Sequence, residues 1–168
     1  HLLLRGTPPL EWEGNLLLDH LAGAEVSCYP LQQYVSEIDA LFKQWQLHYA
    51  ALGRKALAVP TGGSDGIGAW GYIAACEELA RDFHAAGIKQ AHIVTATGSG
   101  GTQTGLTLGV ALHDLPATVW GINVCDDEKY FLNKVASDVA DWRRRYPQAP
   151  AVAVEPRVLD GYVGQGYA

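Results

Sequence analysis

Ala91-His92-Ile93-Val94-Thr95-Ala96, then Thr97-Gly98-Ser99-Gly100-Gly101-Thr102, then Gln103-Thr104-Gly105-Leu106: the reading of the fold turns on this stretch. The apolar run over 91–96 predicts a strand, and the spacing over 103–113 predicts a helix. Between them lie three glycines flanked by three hydroxyl residues. At a helix start the first N–H groups have no intrahelical partner and the dipole is positive, so an anion is stabilised there. Glycines let the backbone wrap close to phosphate oxygens, and Ser99 and Thr102 add hydroxyl donors. A plain helix cap needs one Ser or Thr. The loop therefore predicts a phosphate site made by Thr97, Gly98, Ser99, Gly100, Gly101 and Thr102.

Working outward, strand and helix candidates alternate. Apolar strands are expected at 2–5, 24–28, 55–60, 90–96, 117–124 and 150–155. Amphipathic stretches lie between them. Tyr34, Ile38, Leu41, Trp45 and Tyr49 share one helical face, with Asp39 and Lys43 opposite. Tyr72, Cys76, Leu79 and Phe83 make a second stripe, and Phe131, Val135 and Trp142 a third, stopped by Pro147. Strands separated by helices imply parallel pairing, and the near-continuous apolar runs suit strands covered on both faces. The expected class is α/β, with three-layer parallel-sheet domains. Gly105 and Gly109 are expected to let their helix pack closely on the sheet. The cluster Thr61-Gly62-Gly63-Ser64-Asp65-Gly66 reads as a strand-to-helix loop or as a hinge between two layers.

Bulk properties narrow the function. A formal charge of −6 and a pI near 5.4 exclude a broad nucleic-acid surface. The run Arg143-Arg144-Arg145 falls at a helix end, where it complements the dipole. Asp127 and Glu128 do the converse at the start of the 127–145 helix. Cys28, Cys76 and Cys125 have no short spacing and read as reduced, buried residues of a cytoplasmic protein. No zinc motif is present, so no metal is expected, and no apolar run reaches membrane-spanning length. The sequence lacks methionine, opens on His1 and ends on Tyr167-Ala168. It is expected to be a segment of a longer protein, truncated at both ends.

The phosphate can be specified further. A Walker A loop needs a lysine, absent here, and Gln103 stands where the dinucleotide pattern needs its third glycine. A loop of this kind suits one terminal phosphate monoester, as in pyridoxal phosphate or a small sugar phosphate. Thr97 to Gly105 resembles the phosphate-binding segment of the family containing D-cysteine desulfhydrase and 1-aminocyclopropane-1-carboxylate deaminase. Three further stretches are similar in register: Gly14 to Asp19 with Gly23 to Val26; Pro60 to Ser64 with Gly68 and Gly71-Tyr72; and Asp160-Gly161-Tyr162 with Gly166-Tyr167.

The resemblance implies a fold type II (tryptophan-synthase-β-like) enzyme with pyridoxal 5'-phosphate as cofactor and a small amino acid as substrate. Residues 1–62 would complete the smaller domain and 63–168 would belong to the cofactor domain. It implies α,β-elimination of D-cysteine to pyruvate, sulfide and ammonia, with the deaminase as alternative and a homodimer as the working form. Tyr167 would lie near the substrate. The cofactor-bonding lysine and a Ser-Asn-His motif would lie upstream of this segment, and the group facing the pyridine nitrogen downstream, so the segment alone would be inactive. Lys43, Lys55, Lys89, Lys129 and Lys134 are read as solvated. Two other readings remain. Gly62-Gly63-Ser64-Asp65-Gly66 matches the G-x-S-x-G elbow of serine hydrolases, with Ser64 as nucleophile, although the last histidine, His113, precedes the acids Asp126 and Asp160. The other is a non-catalytic binder of a phosphorylated metabolite.

Overall fold

The computed structural model describes residues 1–8 and 11–165. They fall into two compact units, His1–Ala58 and Val59–Ala168. The sequence reading divides the chain after Gly62. The turn there is one piece with the second unit, because the Gly63 N–H donates to the Pro60 carbonyl at 2.8 Å.

In the first unit, β1 (Leu2–Arg5), α1 (Gly14–Leu21) and β2 (Val26–Tyr29) form a parallel β-α-β unit in which Leu2 is level with Val26. Helix α2 (Leu31–Ala51) follows. Its buried side runs through Tyr34, Ile38, Leu41, Trp45 and Tyr49, the face the 3.6-residue period predicts. Leu41 is fully buried, and Trp45 Nε1 donates to the Tyr29 hydroxyl at 2.8 Å.

The second unit opens with a 3-10 turn, Thr61–Gly63, and helix α3, Ala69–Ala86. Strand β3 (Ala91–Thr97), helix α4 (Gly101–Leu112), strand β4 (Ala117–Asn123), helix α5 (Glu128–Arg145) and the short β5 (Val158–Leu159) complete it. The sheet order is β3-β4-β5, all parallel, with Thr97 level with Asn123. The α/β class is as expected. Helix α5 begins on Asp127, whose carboxylate accepts the Tyr130 N–H at 2.7 Å, and its last turn carries Arg143, Arg144 and Arg145.

Two clusters make the core. Ala69, Ile73, Leu108, Val135, Val139 and Trp142 join α3, α4 and α5. Cys76, Leu106, Leu115 and Val119 join α3 and α4 to the sheet, and burial there pushes the Cys76 thiol up to about 11. The stripe expected on α3 is rotated slightly: Ala69, Ile73 and Cys76 are buried, and Tyr72 is exposed. Covering helices lie on the Ile93–Thr95 side of β3. On its other side Val94 is 62% exposed, so the apolar run there is covered on one face among the described residues.

Gly105 and Gly109 serve a different neighbour from the one expected. A Cβ at Gly105 would lie 2.6 Å from Tyr72 Cβ, and one at Gly109 would lie 2.7 Å from Cys76 Cβ. Their bare backbone brings α4 against α3. The close approach to the sheet is made by Gly121, where a Cβ would overlap the Gln103 amide.

Two expected strands are extended coil. Residues 55–60 pair with no described strand and run through Pro60, which has no N–H, into the 3-10 turn. Residues 150–155 lie between Pro150 and Pro156. Val152 and Val154 pack on the helical core as side chains alone, and Arg143 donates to the Val152 carbonyl at 2.6 Å. Pairing passes to Val158–Leu159 instead.

Gly109→Leu should force α3 and α4 apart and lower stability by about 2 kcal/mol, the usual scale of overpacking. Urea unfolding of the whole protein followed by circular dichroism measures it, and an unchanged midpoint contradicts the packing described.

Candidate functional site

Strand β3 ends on Thr97, which is 1% exposed and whose Oγ1 has no partner among the described residues. The chain then turns through Gly98, Ser99 and Gly100 into α4. Gly100 holds φ +87°, a left-handed value that glycine adopts without strain, and packs under the stem of Lys134, whose Cγ would lie 3.1 Å from a Cβ there. The Thr104 N–H closes the first helical hydrogen bond, to the Gly100 carbonyl at 2.8 Å.

The amides of the turn divide into two sets. The Gly101 N–H donates to Ser64 Oγ at 3.1 Å. Those of Gly98, Ser99, Gly100, Thr102 and Gln103 donate to no described residue. That is a row of donors at the C-terminal end of a parallel strand and the positive end of a helix dipole, where anionic groups bind in open α/β sheets. The loop residues the sequence singles out are thus brought together, with the Gly101 amide assigned to Ser64.

Ser64 corrects one reading. It is 5% exposed, its hydroxyl lies 2.8 Å from Ser99 Oγ and accepts from Gly101, and it follows a 3-10 turn with no strand before it. A hydrolase nucleophile needs an exposed hydroxyl with a histidine base. This hydroxyl is consumed in holding the loop. The neighbouring Asp65 is equally structural, as its Oδ1 accepts the N–H groups of Ile67 and Gly68 at 2.9 and 2.8 Å ahead of α3.

Lys134 corrects another. Its ammonium donates to the Ser64 carbonyl at 3.1 Å and to Asp138 Oδ2 at 2.5 Å, with its side chain 26% exposed. It is no solvated surface lysine, because Gly100 leaves room for its stem against the loop. Burial raises the Asp138 carboxyl above its usual range, while the hydrogen bond and charge of Lys134 pull it back. Lys43, Lys55, Lys89 and Lys129 are exposed, as expected.

A second polar group sits at the same end of the sheet. Asn123, fully buried at the end of β4, donates to the Asp126 carbonyl at 2.5 Å and to Asp160 Oδ1 at 3.0 Å. Its Oδ1 accepts the N–H groups of Cys125 and Asp126 at 3.1 and 3.0 Å. It shapes the turn into α5 and tethers the segment that runs on to Tyr162. The bond from Asn123, then that from the Gly161 N–H, holds the Asp160 carboxyl below its usual range. Cys125 lies in this turn, half-buried, and its thiol donates to the Gly98 carbonyl at 3.4 Å. The sequence reading expects Cys125 and Cys28 to be buried; both are half-buried, and Cys125 lies beyond the end of β4 at Asn123. Tyr167 lies outside the described residues.

Sequence reasoning missed Asn123, the Lys134–Asp138 pair and the capping role of Ser64. One available signal was a polar residue ending each of two adjacent apolar strands, at Thr97 and Asn123.

No family model matches the chain. Individual relatives do. The bifunctional D-cysteine desulfhydrase/1-aminocyclopropane-1-carboxylate deaminase of Arabidopsis thaliana, a mitochondrial protein, is 38% identical over 143 residues, which is 80% of this chain and 36% of that protein. The D-cysteine desulfhydrase of Klebsiella pneumoniae (strain 342) is 31% identical over 112 residues, 66% of this chain and 33% of that one. A crystal structure of an ACC deaminase homologue superposes with a TM-score of 0.78 at 29% identity, covering 95% of this chain and 47% of that chain. The chain belongs to the D-cysteine desulfhydrase/1-aminocyclopropane-1-carboxylate deaminase family. It spans about a third of each of these two curated relatives and about half of the solved homologue. No helix among the described residues is long and apolar enough to cross a membrane.

Asn123→Leu removes every partner in the second network at once. It should destabilise the protein by about 2 kcal/mol, since the turn amides of Cys125 and Asp126 lose the acceptor that the buried Asn123 side chain provides. The Asp160 contribution has a definite sign. A depressed folded-state pKa gives stability that is present above the ordinary carboxyl range and lost as pH falls through the lowered value. The stability gap between the parent protein and Asn123→Leu should therefore narrow in acid, and thermal melts from pH 7 down to pH 2 measure it.

Proposed function

We propose that the whole protein is a pyridoxal-phosphate-dependent lyase, and that the turn from Thr97 to Gln103 holds the cofactor's phosphate. One observation carries this reading: the amides of Gly98, Ser99, Gly100, Thr102 and Gln103 lie at a helix start where no described residue accepts from them. The donor set fits a phosphate monoester. Backbone N–H groups and the Ser99 and Thr102 hydroxyls can all donate, and the Lys134 ammonium is already paired with Asp138. Thr97, whose buried hydroxyl lacks a partner, would close the site on the strand side. Gly101 contributes shape: a Cβ there would lie 2.5 Å from Ser64 Oγ.

Bound there, the cofactor supplies an electron sink for the pair left when a substrate's α-C–H bond breaks. This chain's residues hold and orient its anionic end. No lysine of the described residues offers a free amine beside the loop, so the amine that bonds the cofactor is assigned to another part of the protein. Tyr167 is assigned to the substrate side, following the Asp160–Tyr162 segment that Asn123 tethers.

The preferred substrate is D-cysteine, converted with one water to pyruvate, hydrogen sulfide and ammonia. The family name that the Arabidopsis thaliana relative bears supports a second reading, hydrolytic opening of 1-aminocyclopropane-1-carboxylate to 2-oxobutanoate and ammonia. The working form proposed is a cytoplasmic homodimer.

Reconstituted whole protein should show the visible absorption of a bound pyridoxal cofactor and should release sulfide and pyruvate in equal amounts from D-cysteine. Absence of the band rejects the cofactor assignment, and 2-oxobutanoate from the cyclopropane substrate without sulfide favours the deaminase. Gly100→Val, strained at positive φ and pressed on Lys134, should weaken cofactor retention at least about tenfold, the scale of losing one or two charged hydrogen bonds.

A further inference from the structure

Ser64 sits beneath the loop, and the polarity of its hydrogen bonds has a consequence for Ser99. The Gly101 N–H can only donate, so Ser64 Oγ accepts it at 3.1 Å. Ser64 is 5% exposed, and a buried hydroxyl proton left unused is costly. Among the described residues the acceptor available to that proton is Ser99 Oγ, 2.8 Å away. Ser99 therefore receives a hydrogen bond from Ser64, and its own proton points elsewhere. No described residue accepts it, and Ser99 is only half-buried.

Two further contacts hold this chain in place. The backbone of Ser64 is fixed by Lys134, whose ammonium binds the Ser64 carbonyl while Asp138 balances its charge. Gly62, at φ +69°, lies so close to Ser99 that a Cβ would overlap the Ser99 hydroxyl. That approach limits the directions open to the Ser99 side chain.

We infer that Ser64 is a positioning residue for the anion site: it takes the Gly101 amide out of use and turns the Ser99 proton toward the bound phosphate. The chain Gly101 N–H to Ser64 O–H to Ser99 O–H runs in one direction and ends on the ligand. Each bond polarises the next, so a donor aimed in advance at an anion is stronger than an isolated serine. Ser64 itself never touches the ligand. This inference deepens the cofactor reading and rests on it for the identity of the ester, while the orientation of Ser99 serves any phosphate monoester.

The test uses the whole protein, its Ser64→Ala and Ser99→Ala variants and the double variant. Each is titrated with pyridoxal phosphate and, separately, with inorganic phosphate. Ser64→Ala should weaken both ligands about tenfold, and so should Ser99→Ala. In the double variant the loss should stay near tenfold, because Ser64 has no proton left to aim. A purely structural Ser64 gives another pattern: a lower melting temperature without ligand, with both affinities as in the parent protein. That pattern overturns the inference, and so does a double loss that multiplies to about a hundredfold. Should Ser64→Ala fail to fold, Ser64→Cys takes its place. Its weaker S–H donor should cost severalfold in affinity, and parent-like affinity overturns the inference. If the parent protein takes inorganic phosphate but no pyridoxal phosphate, the cofactor reading fails and the phosphate titrations still decide the role of Ser64. If it takes neither, both fail.

Discussion

Helix α4 lies in the interior from Gln103 to Gly109, with α3 and α5 on its flanks and β3 and β4 beneath it. A helix can be enclosed this way only if its neighbours come nearly to its backbone, and three positions without side chains, Gly105, Gly109 and Gly121, permit that. Its axis is thereby held on several sides. A buried helix in turn fixes its own first turn, so the amide directions at Ser99 to Gln103 are a property of the core and vary little with the surface. Rigid elements hold a binding group to tighter tolerance than loops do. The site inherits that precision from packing located up to three helical turns away.

The electrostatics of the loop follow from the same enclosure. The ammonium of Lys134, whose stem packs on Gly100, is bonded to Asp138, and Asp160 is occupied by Asn123 and the Gly161 amide. What remains for an anion is a set of N–H and O–H dipoles with little net charge behind them. Dipoles act over short range and reward a ligand that fits their geometry, whereas a free lysine attracts any anion from a distance. Such a site discriminates by shape more than by charge.

Much of this arrangement can be read from residue order. The alternation of strands and helices, the parallel pairing, the buried faces of α2 and α5, and the loop at 97–102 all follow from periodicity and from glycines beside hydroxyl residues. The parts that escape such reading depend on distant partners. An extended apolar run at 55–60 or 150–155 looks like a strand, but becomes one only if a neighbour offers its edge, and proline denies part of the bonding. Ser64 resembles an exposed nucleophile because its pattern is local, while its burial comes from Gly101 and Ser99, more than thirty residues on. Lys134 lies on the helix face that meets Gly100, a meeting that only the packed fold creates. Asn123 reads as the last residue of a strand, and its four bonds reach a turn and a segment beyond α5.

Gly121 and Gln103 also bear on how this sequence can change over time. The Gln103 amide lies over the bare backbone of Gly121 and donates to the Arg157 carbonyl at 2.8 Å, next to the first residue of β5. Any residue with a side chain at 121 would evict that amide and leave the Arg157 carbonyl with one of its two donors, the Gly121 N–H at 2.9 Å, so a change at 121 calls for one at 103. Across divergent descendants the two should be replaced as a pair, with the attachment of the third strand as the trait under selection.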